Sequence, residues 1–390
     1  MIENKSKKTL ELTIVMPCLN EARTLGICIN NAQRFISDHE LAAEIIIADN
    51  GSTDGSQQLA SEMGATVVSV EKKGYGSALK KGIASAHGKY VIMGDSDDSY
   101  DLYNLSAFLQ KLRSGFDLVM GNRFDGGISK GAMPFLHQFL GNPIISLIGR
   151  TFFKCPVRDF YCGLRGFRKD AYQHWSIQSD GMTFAIEMII KATAKQSLIA
   201  EVPTTLSPDG RDRKPHLKTW TDGWRTLKFL LIYSPKWLFF YPGFFLVFLG
   251  LALSGYLFAG PQIIHQLELD LHTIVYATVF VAVGLNAISF SIIARVLALN
   301  SRVLNATSSW LDRLANRKNR GLLTSGMILT TVGLLGIAYS LYVWHSAEFG
   351  RLEEPGATLR LALFSGLFLT AGMQVIMTSF LLTVARTLSH

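Results

Sequence analysis

Several motifs that mark a particular chemistry are missing from this sequence of 390 residues. Its four cysteines form neither a CxxC pair nor a zinc-ligand spacing, so no disulfide framework and no structural zinc site is predicted. No GxxxxGK[ST] segment is present, and Leu79 stands where a GxGxxG fingerprint needs its third glycine after Gly74 and Gly76. Neither a P-loop nor a dinucleotide-binding fold is therefore supported.

Two further absences bear on the cellular compartment. The cysteines, Cys18, Cys28, Cys155 and Cys162, are expected to be reduced thiols of a cytosolic compartment. Residues 1–8 are polar and charged with no apolar core behind them, so a signal peptide is not expected.

Apolar residues are frequent but unevenly spread. The chain is 48% hydrophobic with a mean hydropathy of +0.24, and the excess lies after residue 236. We therefore expect a water-soluble domain followed by a membrane domain. The net charge of +8 is compatible with a nucleic-acid partner, but much of it lies beside apolar spans, where basic residues set membrane orientation. No nucleic-acid partner is expected.

The most informative stretch is Tyr90–Asp101. Its first part, Tyr90–Met93, is apolar and predicts a short buried strand of a parallel sheet. Four carboxylates follow, on Asp95, Asp97, Asp98 and Asp101. Ligands bind beyond the carboxyl ends of strands in open α/β sheets, and carboxylates gathered there repel one another unless a cation joins them. The pattern predicts a hard divalent ion, Mg²⁺ or Mn²⁺, held together with substrate phosphates.

The acidic cluster has two other interpretations. An EF-hand loop counted from Asp95 needs glycine at its sixth position and glutamate at its twelfth, where the sequence has Tyr100 and Ser106. An EF-hand is therefore excluded. A solvated acidic turn that caps a helix beginning near Tyr103 is the simpler alternative, and the strand in front of the cluster argues against it.

Strands and helices alternate before residue 216, which is typical of a parallel, doubly wound α/β sheet. The predicted strands are Leu10–Met16, Glu44–Asp49, Thr66–Val70, Tyr90–Met93, Phe116–Gly121 and Leu198–Val202. One helix is predicted from Cys18, a second with Ser52 or Thr53 as its N-cap, and a third from the turn at Gly74 through Ala86. A glycine turn at a helix N-terminus can hold an anion weakly.

Four apolar spans follow residue 236, and each is long enough to cross the ~30 Å hydrocarbon core. They are Trp237–Ala259, Thr273–Ala294, Leu322–Trp344 and Leu361–Val384, and no charged residue interrupts them. Before them, residues 216–233 are amphipathic, with tryptophan and basic residues that fit an interfacial helix. The length of the spans argues against four core helices of a soluble protein.

The positive-inside rule predicts the orientation of these spans. Between spans two and three lie Arg295, Arg302, Arg313, Arg317, Lys318 and Arg320. The loop between spans one and two has no Lys or Arg, and the loop between spans three and four has only Arg351 and Arg360 against three glutamates. Both termini and the first domain are therefore expected in the cytoplasm. The predicted division is an α/β domain at 1–215, a juxtamembrane amphipathic helix at 216–236 and a transmembrane domain at 237–390.

Several motifs together resemble a known family. The segments Thr13–Glu21 (TIVMPCLNE), Asp49–Gly55 (DNGSTDG) and Asp95–Asp97 (DSD) resemble family 2 glycosyltransferases of the GT-A fold. The resemblance narrows to polyprenyl-phosphate glycosyltransferases, the dolichol- or undecaprenyl-phosphate mannose and glucose synthases, through Gly121–Arg123, Asp159, Gly163, Arg165 and Glu201–Pro203 before a basic loop and apolar spans. The QxxRW motif of the processive branch is absent, so a polymerase is not expected. The resemblance covers about residues 10–236 and implies a Rossmann-like nucleotide-sugar domain.

The resemblance implies a donor site for a nucleotide diphosphate sugar, UDP-glucose or GDP-mannose, with Mg²⁺ or Mn²⁺. The residues carried over to the donor are Pro17, Asn20, Glu21 and Gly74 along the nucleotide, Asp49 at its base or ribose, and Asp95 and Asp97 at sugar and metal. Asp97 is the better choice for direct metal contact. Relatives often carry glutamine where this chain has Ser99, so Ser99, Asp98 or water would complete the metal shell.

The implied acceptor is a polyprenyl phosphate. A phosphate monoester is mostly dianionic at neutral pH and is already a nucleophile, which suits a chain with no convincing catalytic histidine near the acidic cluster. Cations are needed instead to bring two anions together. The expected ones are Arg123 and Arg165, with Arg211, Arg213, Lys214 and His216 in a closing loop. Single displacement would invert the anomeric centre and give a β-linked product.

Some of these residues also have purely structural interpretations. Arg123 is a possible salt-bridge partner of Asp125, Arg165 is a possible partner of Asp159, and Glu187 is as compatible with a structural role as with a functional one. The basic loop could bind only anionic lipid headgroups. Small residues in the third span, Gly326, Gly333 and Gly336, suggest a homo-oligomer.

The segment 133–153 repeats apolar residues at helical spacing, interrupted by Pro143 and two glycines. It predicts an amphipathic helix pair on the membrane face or over the acceptor entrance, and an ordinary core helix is the alternative.

Two other functions of the protein also stay open. Diacylglycerol or another lipid hydroxyl could be the acceptor, which would require a base from the acidic cluster. A sugar-lipid carrier or flippase would only bind, but polar residues within its spans would then be expected, and these are nearly absent.

Overall fold

The protein is described here by a computed structural model that covers residues 10–211, 219–258, 260–265, 267–300, 320–352 and 354–387. The chain divides into two compact units, Met1–Leu230 and Leu231–His390.

The first unit alternates strands with helices. Its strands are β1 (Leu12–Cys18), β2 (Ala43–Asp49), β3 (Thr66–Ser69), β4 (Tyr90–Met93), β5 (Leu118–Asn122), β6 (Arg165–Arg168) and β7 (Ile199–Pro203). Its helices are α1 (Ala22–Asp38), α2 (Ser56–Glu62), α3 (Tyr75–Ser85), α4 (Ser106–Arg113), α5 (Arg123–Gly126), α6 (Asn142–Phe153), α7 (Lys169–Trp175) and α8 (Phe184–Ala194). A π-helical turn, His137–Gly141, leads into α6, and α9 (Thr219–Ile232) runs across the boundary between the two units.

These strands form one sheet in the order β3-β2-β1-β4-β6-β5-β7. The pairings are parallel except for those of β6, which runs antiparallel to both β4 and β5. The prediction of an entirely parallel sheet is therefore wrong, and the sheet is mixed. The antiparallel strand escaped prediction because β6 has only four residues, two arginines and a glycine among them, and lies inside a glycine-rich turn.

The predicted strands are confirmed, with ends that shift by up to two residues. The first helix was expected from Cys18 and begins instead at Ala22. Asn20 adopts a left-handed conformation with a φ of 59°, which turns the chain before a helix can start. The strands β1 and β4 are buried along their whole length, because the helices that connect parallel strands cover the faces of the sheet.

The predicted N-cap of α2 is wrong. The helix begins at Ser56 after Gly55, whose φ of 89° is left-handed and suits a residue without a Cβ. Asp54 satisfies the exposed backbone there, since its Oδ1 accepts from the Ser56 N–H at 3.0 Å. Ser52 and Thr53 are therefore left to bind a neighbouring loop.

Within its described residues, a π-helical turn and four helices begin in the second unit. They are Lys236–Phe240, α10 (Tyr241–Tyr256), α11 (Leu271–Asn300), α12 (Arg320–Ser346) and α13 (Pro355–Thr387). Among the residues that the structure describes, four helical stretches are long and apolar enough to cross a membrane, as predicted. They are Lys236–Tyr256, Leu271–Asn300, Gly321–Ser346 and Pro355–Thr387. A short hairpin that was not predicted, β8 (Gln262–Ile264) with β9 (Leu267–Leu269), lies between the first two helices.

The small residues of the third span pack inside the chain. A Cβ added at Gly326 would lie 2.8 Å from Ile376 Cγ1, and one added at Gly333 would lie 2.5 Å from the Leu369 backbone nitrogen. Gly336 faces α13 in the same way. These glycines let α12 and α13 approach closely, so the expectation that they form a surface between two copies of the chain is wrong.

Candidate active site

The carboxyl ends of β1, β2 and β4 lie side by side, because β1 pairs in parallel with both of the other strands. The loops after these strands carry the three sequence motifs, so the motifs meet at one edge of the sheet. Ser96 joins two of the loops. Its Oγ donates to the Pro17 carbonyl at 2.7 Å, and its carbonyl accepts from Thr24 Oγ1 at 2.8 Å. Pro17 therefore lies at the predicted edge, where its carbonyl helps to hold the loops together.

Asn20 joins the loop after β1 to the loop after β2. Its N–H donates to Ser52 Oγ at 2.8 Å, and its Oδ1 accepts from the Thr53 N–H at 2.7 Å. The neighbouring Glu21 N–H donates to Ser56 Oγ at 3.0 Å. The expected donor-site residues Asn20 and Glu21 are thus placed by the two loops together.

Asp49 is buried at the end of β2, and its carboxylate binds the loop that follows. It accepts from the N–H groups of Gly51 at 2.9 Å and Ser52 at 3.1 Å and from Gln57 Nε2 at 2.6 Å. The carboxylate therefore shapes this loop, and its contact with a base or ribose stays a proposal.

Gly74 stands where no other residue fits. Its φ is 136°, and a Cβ added there would lie 2.3 Å from the Asp180 carbonyl oxygen. Its N–H donates to Asn50 Oδ1 at 2.7 Å, which ties it to the loop after β2. This close approach sets the start of α3 and the side chain of Tyr75 that follows.

The Asp95 carboxylate is held on two sides. The Tyr75 hydroxyl donates to its Oδ1 at 3.1 Å, and a Cβ added at Gly163 would lie 2.5 Å from its Oδ2. Burial raises the pKa of Asp95 to about 6, and the negative charge of Asp97 adds to the shift. A cation in this turn would favour the ionised carboxylate.

Tyr75 is a functional candidate that sequence analysis missed. It is the residue between the two glycines of Gly74-Tyr75-Gly76, at the helix terminus that faces the acidic turn. A hydroxyl-bearing residue between two glycines at a helix N-terminus is the sequence signal that would have identified Tyr75. The pairing itself joins residues 20 positions apart and follows only from the fold.

The Asp97 carboxylate lies between a hydroxyl and a guanidinium. Its Oδ1 accepts from Ser99 Oγ at 2.6 Å and from the Ser99 N–H at 3.1 Å. Its Oδ2 lies 3.1 Å from Arg211 Nη2, and the same nitrogen lies 2.9 Å from Glu21 Oε1. Arg211 therefore brings a positive charge between two carboxylates of the predicted donor site.

The segment that carries Arg211 lies along the acidic turn. The N–H of Ser207 donates to the Ser99 carbonyl, and the N–H of Gly210 donates to the Asp97 carbonyl, both at 3.0 Å. The structure thus brings one of the predicted loop cations to the site. The other three, Arg213, Lys214 and His216, lie outside the described residues.

The donor set suits a divalent metal that is shared with a substrate. Within the described ranges, no three His, Cys, Asp or Glu side chains converge to form a complete cage. Mg²⁺ does not need one, since it is usually bound through one or two carboxylates together with waters and substrate phosphates. Asp95 and Asp97 fit that pattern, and Arg211 occupies a place for positive charge beside Asp97. The Ser99 hydroxyl donates to Asp97 and orients its carboxylate, and a place for Ser99 in the metal shell stays a prediction.

Arg123 does not have the partner that was expected. Its Nε and Nη2 bind the two oxygens of Asp159 at 2.7 Å and 2.8 Å, and the Asp159 side chain is 0% exposed. Pairing with Asp125 is therefore wrong, and in this structure Arg123 forms a buried bidentate ion pair at the end of β5. The backbone N–H of Arg123 also donates to Asp159, at 3.1 Å.

Arg165 has neither of its two expected contacts, the one with a phosphate and the one with Asp159. It is 0% exposed and donates to three backbone carbonyls, those of Cys162 at 2.8 Å, Phe160 at 3.0 Å and Ala185. It neither holds Asp159 nor faces a surface that a phosphate can reach, and burial lowers its pKa. Arg165 instead fixes the shape of the turn at 159–165.

Glu187 is structural in this fold. Its carboxylate accepts from the N–H groups of Gln178 at 3.1 Å and Ser179 at 2.7 Å and pairs with Lys191 at 2.8 Å. Both members of the pair are buried. They hold the loop before α8.

Comparison with known proteins identifies the family of this chain. Residues 13–175 match glycosyl transferase family 2, and residues 292–386 match the C-terminal transmembrane region of family 2 glycosyltransferases. The low-salt glycan biosynthesis hexosyltransferase Agl6 of Haloferax volcanii is 33% identical over 381 residues, which cover 95% of this chain and 88% of that protein. A dolichyl-phosphate hexose transferase of the same organism is 31% identical over 195 residues, which cover 50% of this chain and 81% of that protein. The crystal structure of glucosyl-3-phosphoglycerate synthase from Mycobacterium tuberculosis with Mn²⁺, UDP and glucosyl-3-phosphoglycerate has 22% identity and a TM-score of 0.47, covering 58% of this chain and 80% of that one.

The mixed, Rossmann-like sheet with an acidic turn at its carboxyl edge, followed by four candidate transmembrane helices, defines a membrane-associated GT-A enzyme. The chain belongs to glycosyl transferase family 2 and is a glycosyltransferase.

Proposed function

We propose that this glycosyltransferase transfers a hexose from a nucleotide diphosphate sugar to a membrane polyprenyl phosphate. The observation that carries the proposal is the meeting of Asp95, Asp97 and Arg211 at the carboxyl edge of the sheet, in a chain with four helices able to span a membrane. The names of the two relatives, a hexosyltransferase and a dolichyl-phosphate hexose transferase, support the hexose and the lipid phosphate.

The proposed donor site is formed by the carboxyl ends of β1 and β2 and by the loops that follow β1, β2, β3 and β4. Pro17, Asn20, Glu21, Asp49 and Gly74 would surround the nucleotide, and Asp95 would face the sugar. A bound Mg²⁺ or Mn²⁺, held by Asp97 with Asp95, would stabilise the negative charge that develops on the leaving diphosphate. Arg211 pairs with carboxylates in this structure, and it can exchange them for a phosphate because a guanidinium binds either group in a bidentate way.

The proposed acceptor needs no general base. Its phosphate is mostly dianionic at neutral pH and attacks the anomeric carbon directly. The chain must instead hold two anions together, and the cations of the 207–216 loop would do this. Attack opposite the leaving diphosphate would convert an α-linked donor into a β-linked polyprenyl-phosphate hexose. NMR of the product measures the anomeric configuration, and a product that keeps the α configuration of the donor would contradict single displacement.

We further propose that the catalytic unit and both termini are cytoplasmic, since basic residues concentrate in the loop between the second and third spans. Residues 1–215 would form the catalytic domain, 216–236 a juxtamembrane amphipathic helix, and 237–390 the transmembrane domain. The product would serve assembly of cell-envelope glycans or glycoproteins.

Transfer of radiolabelled sugar into an organic-extractable lipid tests the function. Purified full-length protein would be mixed with Mg²⁺ or Mn²⁺, undecaprenyl phosphate, and UDP-glucose or GDP-mannose in turn. Metal-dependent label in the lipid phase is expected, and the donor that supplies it identifies the sugar. Label that enters diacylglycerol and not polyprenyl phosphate would overturn the proposed acceptor and call for a catalytic base in the acidic cluster. Donor and lipid binding without transfer would favour a sugar-lipid carrier.

Tyr75→Phe should weaken the reaction without unfolding the protein. The change removes only the hydroxyl that donates to Asp95. A hydrogen bond to a charged group contributes about 1.5–3 kcal/mol, so kcat/KM should fall about 10- to 100-fold. The metal concentration that gives half-maximal activity should rise as well, because Asp95 loses its orientation.

Tyr103→Phe is the matched control for this change. It also deletes a hydroxyl that donates to an aspartate, Asp38 at 2.9 Å, but on an exposed part of the unit. Its kinetics and metal titration should equal those of the unchanged protein. Equal behaviour of the two variants would show that Tyr75 has no role in positioning Asp95.

A further inference from the structure

The helix that carries Tyr75 is capped from outside. Among the described residues no side chain caps its first turn, and the N-cap residue, Gly74, has none to offer. The loop between α7 and α8, residues 176–180, supplies the cap instead, because the Asp180 carbonyl accepts from the Ser77 N–H at 3.0 Å. Backbone N–H groups in the first turn of a helix need such an acceptor. The position of α3 at its N-terminus therefore depends on this loop.

The loop also lies against both glycines that flank Tyr75. A Cβ added at Gly76 would lie 2.6 Å from the Ser179 carbonyl oxygen, and one added at Gly74 would meet the Asp180 carbonyl oxygen even more closely. Glycine at both positions lets the backbone of the helix turn approach the backbone of the loop directly. This accounts for the pattern Gly74-Tyr75-Gly76, and it means that a shift of the loop is passed on to Tyr75.

Glu187 fixes the loop from its other side. This residue lies in the first turn of α8, is fully buried, and accepts from the N–H groups of Gln178 at 3.1 Å and Ser179 at 2.7 Å. Its partner Lys191, one turn further along α8, also donates to the Ser176 carbonyl at 2.5 Å. Breaking a buried ion pair leaves an uncompensated charge and is strongly destabilising. The Glu187–Lys191 pair therefore keeps residues 176–179 in one arrangement.

We propose that Glu187 is a positioning residue for the active site, because it holds the Tyr75 hydroxyl on the Asp95 carboxylate through the loop before α8. Ser179 joins the two halves of this route, since its N–H donates to Glu187 and its carbonyl faces Gly76. The route from Glu187 to Tyr75 follows from these contacts alone. Its effect on a metal ion at Asp95 rests on the proposed function.

A small movement of the loop is enough for this effect. The Tyr75 hydroxyl lies 3.1 Å from Asp95 Oδ1, and a separation of about 3.6 Å is no longer a hydrogen bond. Moving the first turn of α3 by roughly half an ångström would therefore release the Asp95 carboxylate. A buried carboxylate bound to two backbone N–H groups and a lysine can hold the loop to within this distance.

Binding of Mn²⁺ to the full-length protein in detergent tests the inference, with UDP and GDP added in turn and the free ion measured by EPR. Glu187→Gln keeps the size of the side chain, but its amide nitrogen is a donor where the loop needs an acceptor. The Kd for Mn²⁺ should rise about tenfold in this variant and in Tyr75→Phe, because each loses the same hydrogen bond to Asp95. In the double variant the Kd should rise no further than in Tyr75→Phe alone.

Hydrogen exchange measured by mass spectrometry gives a second readout that needs no metal. The Ser77 amide should exchange about tenfold faster in Glu187→Gln than in the unchanged protein, because the loop no longer holds its acceptor in place. Tyr75→Phe should leave this exchange unchanged. Phe35→Leu is the control for stability. Phe35 is a fully buried residue of α1, so the cavity should lower the Tm but leave the Kd for Mn²⁺ unchanged.

A rise of the Kd by the same factor when Glu187→Gln is made alone and in the Tyr75→Phe protein would overturn the route through Tyr75. A lower Tm with an unchanged Kd would show that Glu187 serves only the fold, and a protein that binds no Mn²⁺ with either nucleotide would also contradict the inference. If Glu187→Gln does not fold, Gly76→Ala repeats the test, because its Cβ pushes on Ser179 from the helix side. Loss of Mn²⁺ affinity in the expected pattern, in a protein that transfers no sugar to polyprenyl phosphate, would uphold the positioning and overturn the proposed function.

Discussion

Asp97→Asn is expected to lower kcat/KM for sugar transfer about 10³-fold, which corresponds to about 4 kcal/mol of transition-state stabilisation. The change removes a negative charge from the carboxylate that lies between Ser99 and Arg211, but it keeps the size of the side chain. A metal ion at this turn contributes several kcal/mol by stabilising the leaving group. The residual activity should therefore no longer respond to added Mg²⁺ or Mn²⁺ or to EDTA, as measured by transfer of radiolabel into lipid.

Asp101→Asn provides the matched control. Asp101 is the last carboxylate of the same turn, and among the described residues it binds only the start of the next segment, where it accepts from the Tyr103 N–H at 2.9 Å and from Asn104 Nδ2 at 2.5 Å. Transfer and its metal dependence should stay close to those of the unchanged protein. Full activity in Asp97→Asn together with a metal-independent Asp95→Asn would move the direct metal contact from Asp97 to Asp95.

Asp159→Asn is expected to cause the largest loss of stability. It would leave the buried guanidinium of Arg123 without its bidentate partner, and removing one member of a buried ion pair costs about 3–5 kcal/mol. For a unit of this size the Tm should fall by about 10 °C. Thermal unfolding of the full-length protein in detergent, followed by intrinsic fluorescence, measures the shift, and Trp175 is a buried reporter in the same unit.

Asp125→Asn is the control for the loss of an aspartate nearby. Asp125 is half exposed and lies 3.9 Å from Arg158, a surface pair that contributes at most about 1 kcal/mol. The Tm of the Asp125→Asn protein should therefore barely change. An equal fall in Tm for both variants would contradict the assignment of the Arg123–Asp159 pair as the stabilising contact.

The double change Arg123→Met with Asp159→Leu separates structure from chemistry at this pair. Apolar residues that replace both members of a buried ion pair are often neutral for stability, so the Tm should recover. If Arg123 serves only the fold, sugar transfer should recover with it. A recovered Tm with a raised KM for the lipid acceptor would instead support a contact between Arg123 and a phosphate.

Local patterns in the sequence were sufficient for six of the seven strands in the sheet and for the four apolar spans. Each predicted strand is a run of β-forming residues bounded by turn residues, and the four spans are long apolar runs, so neighbours in the chain decide them. The acidic turn after β4 could also be predicted, because a strand end followed directly by carboxylates is a feature of consecutive residues. Family membership followed from the same short motifs.

Contacts between distant residues were decided only by the tertiary structure. Asp159 pairs with Arg123, which is 36 positions away in the sequence, and not with the nearer Arg165. The guanidinium of Arg165 instead donates to three backbone carbonyls. The short strand β6 forms because β4 and β5 lie on either side of it and supply its hydrogen bonds. The glycines of the third span face α13 for a similar reason. The sequence by itself thus determined the parallel strands, the four apolar spans and the acidic chemistry at the end of β4. The pairing of charges, the antiparallel strand, the short hairpin and the packed glycines depended on which surfaces the fold brought together.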